Sequence, residues 1–122
     1  ELTKKITASD DADSRELWDG ALHRLIAESA GNQFFLTIFD VINHVRQDEA
    51  WQTIRELARS INKTRPISYA QHMAIIDAIA ARDPMKAAEA MRKHLLMLQE
   101  SLIRITSLDA RQAQEPLTEE VG

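Results

Sequence analysis

SYAQHMAIIDAIAARDPMKAAEAMRKHLLML, residues 68–98, decides the fold. In its first half His72, Ile75, Ile76 and Ile79 recur at three, four and seven residues, the period of one helix face. Pro66 interrupts the chain just before it, and Ser68 with Gln71 has the form of a capping box that starts this helix. Asp83 followed by Pro84 starts a second one: the carboxylate accepts a free amide, and proline at the first helical position gives up no bond. Ala87, Ala90, Met91, His94, Met97 and Leu98 then share a stripe. Met85, Met91 and Met97 read as core filling rather than a cofactor box. Two helices joined by so short a turn lie antiparallel.

Working outward, WDGALHRLIAESAGN at 18–32 is a helix running into a stop at Gly31, with Leu22, Leu25 and Ile26 on its apolar side. It follows a polar run, Ser9 to Ser14, and is under way by Arg15. Asn32 caps the next helix, whose Phe35, Ile38, Phe39, Ile42 and Val45 predict a core-facing stripe. Trp51, Ile54, Leu57, Ala58 and Ile61 continue a similar pattern, with a bend or break between Gln47 and Trp51. The last helix runs to about Leu108, and residues 109–122 form a frayed polar tail. Nothing alternates with period two. The expectation is an all-α chain, an antiparallel helical bundle of four segments.

The 122 residues suit one domain, and 44% hydrophobic with 28% charged residues is ordinary for a globular protein. The absence of cysteine excludes disulfides and thiolate metal sites. No apolar run approaches a membrane span, and the first residues hold no signal-peptide core, so a cytoplasmic location is expected. A net charge of −4 argues against direct contact with a polyanion. The chain opens on Glu1 rather than Met, as a piece of a longer protein would.

Within this bundle three helices turn a histidine inward. Asp19 and His23 are four residues apart and project together; His72 and His94 lie in the apolar stripes of their own helices. Bundle cores are where metal sites are assembled from facing helices, and one Asp with three neutral His suits divalent Zn, Ni, Mn or Fe. In an octahedral field such a set leaves adjacent positions for water or a small carboxylate. Buried histidines held by hydrogen bonds remain the alternative, with Asp19 in a salt bridge to Arg15 or His23. His44 flanks its stripe and reads as partly exposed. No nucleophile elbow or glycine-rich phosphate loop is present, and 5% aromatic content is thin for base stacking.

Two blocks resemble the FCD-type effector-sensing C-terminal domain of GntR-family transcription regulators. WDGALHRLIAESAGNQFF is similar to that family's D-x-x-F-H-x-x-(I/L)-x-x-x-(S/A)-G-N stretch, and residues 68–98 to its H-x-x-I-x-x-A-I-x-x-(R/G)-D-x-x-x-A-x-x-x-M-x-x-H-L stretch. The resemblance implies metal ligands at Asp19, His23, His72 and His94, holding zinc or nickel, with manganese or iron as further candidates. It implies a small organic-acid effector on that metal, coupling to a winged-helix DNA-binding domain, and a homodimer. Leu22 stands where the family usually has Phe, which changes packing alone. By this resemblance the chain is expected to be a fragment lacking the winged helix and the first sensing-domain helices, among them the helix that usually offers an arginine to the effector. Arg15, Arg24 and Arg92 lie within a turn or so of the proposed ligands, and none is assigned that role.

The leading expectation is therefore a ligand-sensing regulatory domain and not an enzyme. One rival is a metalloenzyme using the open Asp/His site, as iron/manganese superoxide dismutases use a similar set, although their sheet-containing half has no counterpart here. The other is a structural bundle without metal.

Overall fold

The computed structural model describes residues 1–62 and 65–114, and every regular element among them is helical. The order is α1 (Leu2–Ala8), α2 (Ala12–Ser29), α3 (Gln33–Arg46), α4 (Glu49–Asn62), α5 (Arg65–Ala80) and α6 (Pro84–Gln114).

The helix boundaries follow local chemistry. Asp11 caps α2, its carboxylate accepting from the Ser14 amide at 2.8 Å, a bond that also lowers its pKa. Gly31 takes the left-handed conformation after α2, φ +73°, where a side chain is strained. Asn32 then accepts from the Phe35 amide at 3.0 Å and starts α3. The expected break after Gln47 is real, and Asp48 makes it: its Oδ1 accepts from the amides of Ala50 and Trp51 at 3.0 and 3.3 Å. Asp83 caps α6 through the Lys86 amide at 3.0 Å.

Several expectations need correction. Among the described residues six helices replace four, because 33–62 is two helices and the residues before Ser9 form α1. The capping box does not exist: α5 begins at Arg65, so Pro66 sits in its first turn, where a missing amide hydrogen is harmless, and Ser68 lies inside the helix. α6 continues to Gln114, past the expected end near Leu108. Residues 115–122 of the proposed tail, and the side chain of Ile61, lie outside the described residues.

The helices pair as hairpins. On either side of the Ala30–Asn32 turn Arg24 meets Asp40, and farther along Glu16 and Asp19 meet Arg46, which makes α2 and α3 antiparallel. α5 and α6 pack along each other in the same way, with His72 against His94 across the Ala81–Asp83 turn. α1 folds back on α2, held by Lys5 over the Trp18 ring at 4.3 Å and by Arg15 Nη1 donating to the Asp10 carbonyl at 2.8 Å. α4 lies on α6 and reaches α2 through its arginines. Gly20 allows α3 to approach closely, since a Cβ there would stand 3.0 Å from Asn43 Oδ1.

Among the described residues the buried interior is more polar than apolar. Leu22, Ala27, Ala58, Ile75, Ala78 and Ile105 are buried, and so are Thr3, Arg15, Asp19, His23, Arg55, His72, His94 and Ser101. Of the stripe expected to face inward on α3, only Phe39 does so. Phe35, Ile38, Ile42 and Val45 are exposed together with Phe34 and Val41, and α3 rests on the bundle through Leu36, Phe39, Asn43 and Arg46. Periodicity shows that a face exists; which face the bundle takes was set by the ion pairs of Arg46. Leu25, Ile79 and Met85 are also exposed, the last at 80%.

Candidate functional site

Apart from Thr3 and Ser101, the buried polar side chains form one connected site. α2 supplies Asp19 and His23 one turn apart, α5 supplies His72 and α6 supplies His94, with Asp19 2%, His72 3% and His94 1% exposed. Asp19 Oδ1 lies 3.3 Å from His72 Nε2 and 3.7 Å from His23 Nε2, and the Nε2 atoms of His72 and His94 are 3.2 Å apart. One potential ligand atom from each of the three imidazoles falls within 4.8 Å of the others. The four residues singled out in the sequence are thus neighbours, while His44 is exposed.

A surrounding layer fixes the orientation of these groups. Asp19 Oδ2 accepts from Arg46 Nη2 at 2.6 Å and Arg55 Nη2 at 3.0 Å, which leaves Oδ1 turned to the imidazoles. Glu16, one turn earlier on α2, accepts from Arg46, Arg55 and Arg59. Glu56 pairs with Arg15 at 2.8 Å. Gln71 Oε1 lies 2.9 Å from His94 Nδ1; a carbonyl there takes the Nδ1 proton and leaves His94 Nε2 as a free lone pair.

The chemistry of this donor set fits a divalent cation. His94 Nε2 and Asp19 Oδ1 are both acceptors and lie 3.2 and 3.3 Å from His72 Nε2, while the group whose ligand atoms lie mutually within 4.8 Å is the three imidazoles without Asp19. A single proton on His72 serves both acceptors in the bare chain; a cation serves all of them.

Burial pushes the imidazoles toward the neutral form that a metal requires. His23 is lowered to about 4, with Asp19 pulling the other way, and His94 to about 3, with burial reinforced by the neighbouring imidazoles. His72 is lowered as well, again chiefly by burial. Because the folded values lie below the ordinary 6.5, the unfolded chain binds more protons in this window. Metal-free protein is therefore expected to keep this contribution to stability above about pH 6.5 and to lose it as pH falls toward 4 and then 3. Urea midpoints measured at steps from pH 7.5 to about 4 would check this, with His23→Phe and His94→Leu flattening the slope.

Beside the ligand cluster lies a cavity of about 650 Å³, bounded by Ile6, Thr7, Arg15, Asp19, Arg59 and His72 and extended by the start of α5 at Ser68 and Tyr69. It is large enough for a small organic molecule. A second recess, about 10 Å³ between Glu16, Gln52 and Arg59, has room for one water.

Sequence reasoning missed Glu16, Arg46, Arg55, Arg59 and Gln71. Glu16 was legible in principle, being three residues before Asp19 on the same face, and Arg55 and Arg59 flank the buried Ala58 at helical spacing. Of the two alternatives for Asp19, Arg15 turns instead to Glu56, whereas His23 does lie within ion-pair distance at 3.7 Å, farther than His72 at 3.3 Å. Arg24 faces outward to Asp40 and Glu28, and Arg92 is exposed.

Comparison with known proteins identifies the family of the chain. The family model described as the FCD domain matches residues 1–97. The HTH-type transcriptional repressor NanR of Salmonella arizonae is 34% identical over 100 residues, which is 74% of this chain and 36% of that protein. The repressor of the same name from Salmonella newport is 37% identical over 79 residues, 63% of this chain and 28% of that protein. The chain thus spans about a third of the length of these curated relatives. No solved structure matches it. The chain belongs to the FCD-domain family of GntR-type transcription regulators.

Proposed function

We propose that this chain is the ligand-sensing part of a transcription regulator, in which Asp19, His23, His72 and His94 hold a divalent metal, zinc or nickel in the first place, and a small organic acid binds beside it. The observation that carries the reading is the convergence of three buried imidazoles from α2, α5 and α6, with Asp19 Oδ1 3.3 Å from His72 and the cavity opening against Asp19 and His72. A bound divalent ion would supply a Lewis-acid seat for a carboxylate.

The chain's own residues do the rest. Arg46 and Arg55 hold Asp19 with Oδ1 toward the imidazoles, and Gln71 holds His94 in the tautomer that presents Nε2. Arg15 and Arg59 place positive charge on the cavity wall. An effector that ties α2 to α5 and α6 favours one arrangement of these helices by its differential affinity, typically ~1–3 kcal/mol of coupling, and a DNA-binding domain elsewhere in the regulator reads that arrangement. The same reading makes the regulator a cytoplasmic homodimer, with the outward apolar stripe of α3 as surface available to a second copy. No helix among the described residues is long and apolar enough to cross a membrane.

The metalloenzyme reading is less well supported, because Glu16, the carboxylate beside Asp19, is committed to three guanidiniums and is not placed to move protons for a reaction. Elemental mass spectrometry on protein purified without a nickel column tests the proposal. Near-stoichiometric metal in the wild type and none in a His72→Ala, His94→Ala variant is expected. Wild-type protein that stays metal-free after dialysis against zinc and nickel would leave the four residues as core groups.

A further inference from the structure

One whole face of α3 is left open by the described residues. At about 100° per residue the side chains of this helix fall into three sectors. Leu36, Phe39, Asn43 and Arg46 meet the bundle. Gln33, Thr37, Asp40 and His44 form a polar outer sector, in which Asp40 is paired with Arg24 at 3.0 Å. Phe34, Phe35, Ile38, Val41, Ile42 and Val45 fill the remaining arc of about 120° with no polar residue among them, and they are 42–76% exposed.

Size separates this face from an ordinary surface patch. At those exposures the six residues present roughly 700 Å², above the ~300–600 Å² of the largest apolar patch on a typical monomer and close to the ~800 Å² that each partner gives a stable complex. The pattern identifies the partner. Phe34, Ile38, Val41 and Val45 are spaced four, three and four, the alternation of a coiled-coil seam. That spacing reads the same from either end, so an antiparallel copy of α3 presents the matching seam, and a twofold contact requires such a self-complementary patch. Antiparallel pairing sets large against small at both ends, Phe34 over Val45, where parallel pairing would set Phe34 on Phe34. Opposed helix dipoles favour the same direction. Phe35 and Ile42 flank one side of the seam, Thr37 and His44 the other, so neither flank carries a carboxylate or a guanidinium.

We propose that a second copy of this chain docks on this face, α3 antiparallel to α3 across a twofold axis, with Phe34 against the partner's Val45 and Ile38 against the partner's Val41. This rests on the homodimer part of the reading above and adds to it the direction and register of the contact. It does not depend on the metal.

The test is sedimentation equilibrium of the full chain from about 1 to 100 μM. Wild type is expected near twice the 13.8 kDa of one chain. Ile38→Lys and Val41→Lys are each expected to weaken association at least ~30-fold, because each buries a charge against apolar side chains, while Leu95→Lys on the exposed side of α6 leaves it unchanged. All three residues are exposed in the single chain, so the variants keep the fold, which circular dichroism checks. Direction is read with cysteine, which the chain lacks. Phe34→Cys mixed with Val45→Cys is expected to form a disulfide-linked pair under oxidised glutathione, and Phe34→Cys alone is not, since its two sulfurs would stand about 16 Å apart along the helices. Dimer that survives both lysine variants, a mixed pair that does not cross-link, or Phe34→Cys that cross-links to itself would overturn the inference and leave a homodimer built another way. Wild type that stays monomeric would overturn the inference together with the homodimer reading and give the face to a different protein.

Discussion

Asp19→Asn is expected to destabilise the metal-free chain by about 3–5 kcal/mol, a loss separate from any ligand role. The asparagine keeps the shape of the side chain but removes the charge that Arg46 and Arg55 face at 2.6 and 3.0 Å, and Arg55 is 8% exposed. Glu16 remains as a second anion for both guanidiniums, which places the expected loss toward the lower end. Burial by itself raises the pKa of Asp19, and the opposing charges of His23 when protonated, Arg55 and Arg46 hold it well below the usual carboxylate range. Its contribution is therefore present above the ordinary carboxylate pKa near 4 and is lost only in strong acid. Urea unfolding in chelator gives the measurement, and Asp19→Asn combined with Arg55→Met should recover part of the loss by removing the stranded charge. A midpoint for Asp19→Asn within ~0.5 kcal/mol of wild type would show that the ion-pair chain does not hold the bundle together.

Adding zinc to metal-free wild type is expected to raise the melting temperature by roughly 12–20 °C when free zinc stands about a thousandfold above its dissociation constant, since binding to the folded state alone then contributes ~4 kcal/mol. His72→Ala, His94→Ala protein should show no comparable rise. The reason is structural: His72 and His94 come from one helical hairpin and Asp19 and His23 from another, so an ion shared among them ties the two hairpins together. Differential scanning calorimetry with and without chelator checks it. A rise of the same size in the double variant would place the zinc on surface groups.

Much of the site was legible because its residues obey helical arithmetic. Asp19 and His23 four apart, and His72 and His94 within apolar stripes, follow from a period of 3.6 residues whatever the tertiary arrangement. The caps at Asn32 and Asp83 are local chemistry and were equally readable. The failures are all tertiary. Ser68 and Gln71 fit a capping pattern, yet α5 starts before them and Gln71 serves His94 across the hairpin. Most of the α3 stripe is a true apolar face that the described bundle leaves outside, because the helix is rotated so that the adjoining face of Leu36, Phe39, Asn43 and Arg46 meets α2. Arg46, Arg55 and Arg59 look like ordinary surface cations in a sequence; their role depends on Glu16 and Asp19 being brought to them by the turns at Gly31 and Asp48.

The hairpin organisation also has a kinetic consequence. His72 and His94 are 22 residues apart and meet through a three-residue turn, whereas Asp19 reaches Arg55 over 36 residues and His72 over a longer span still. Short-range hairpins close before such distant contacts are rewarded, so the junction at Asp19 belongs to the late part of the folding path. Interactions that form after the transition state act on the rate of leaving the folded state, not on the rate of reaching it. Whatever fills this junction sets the lifetime of the folded chain.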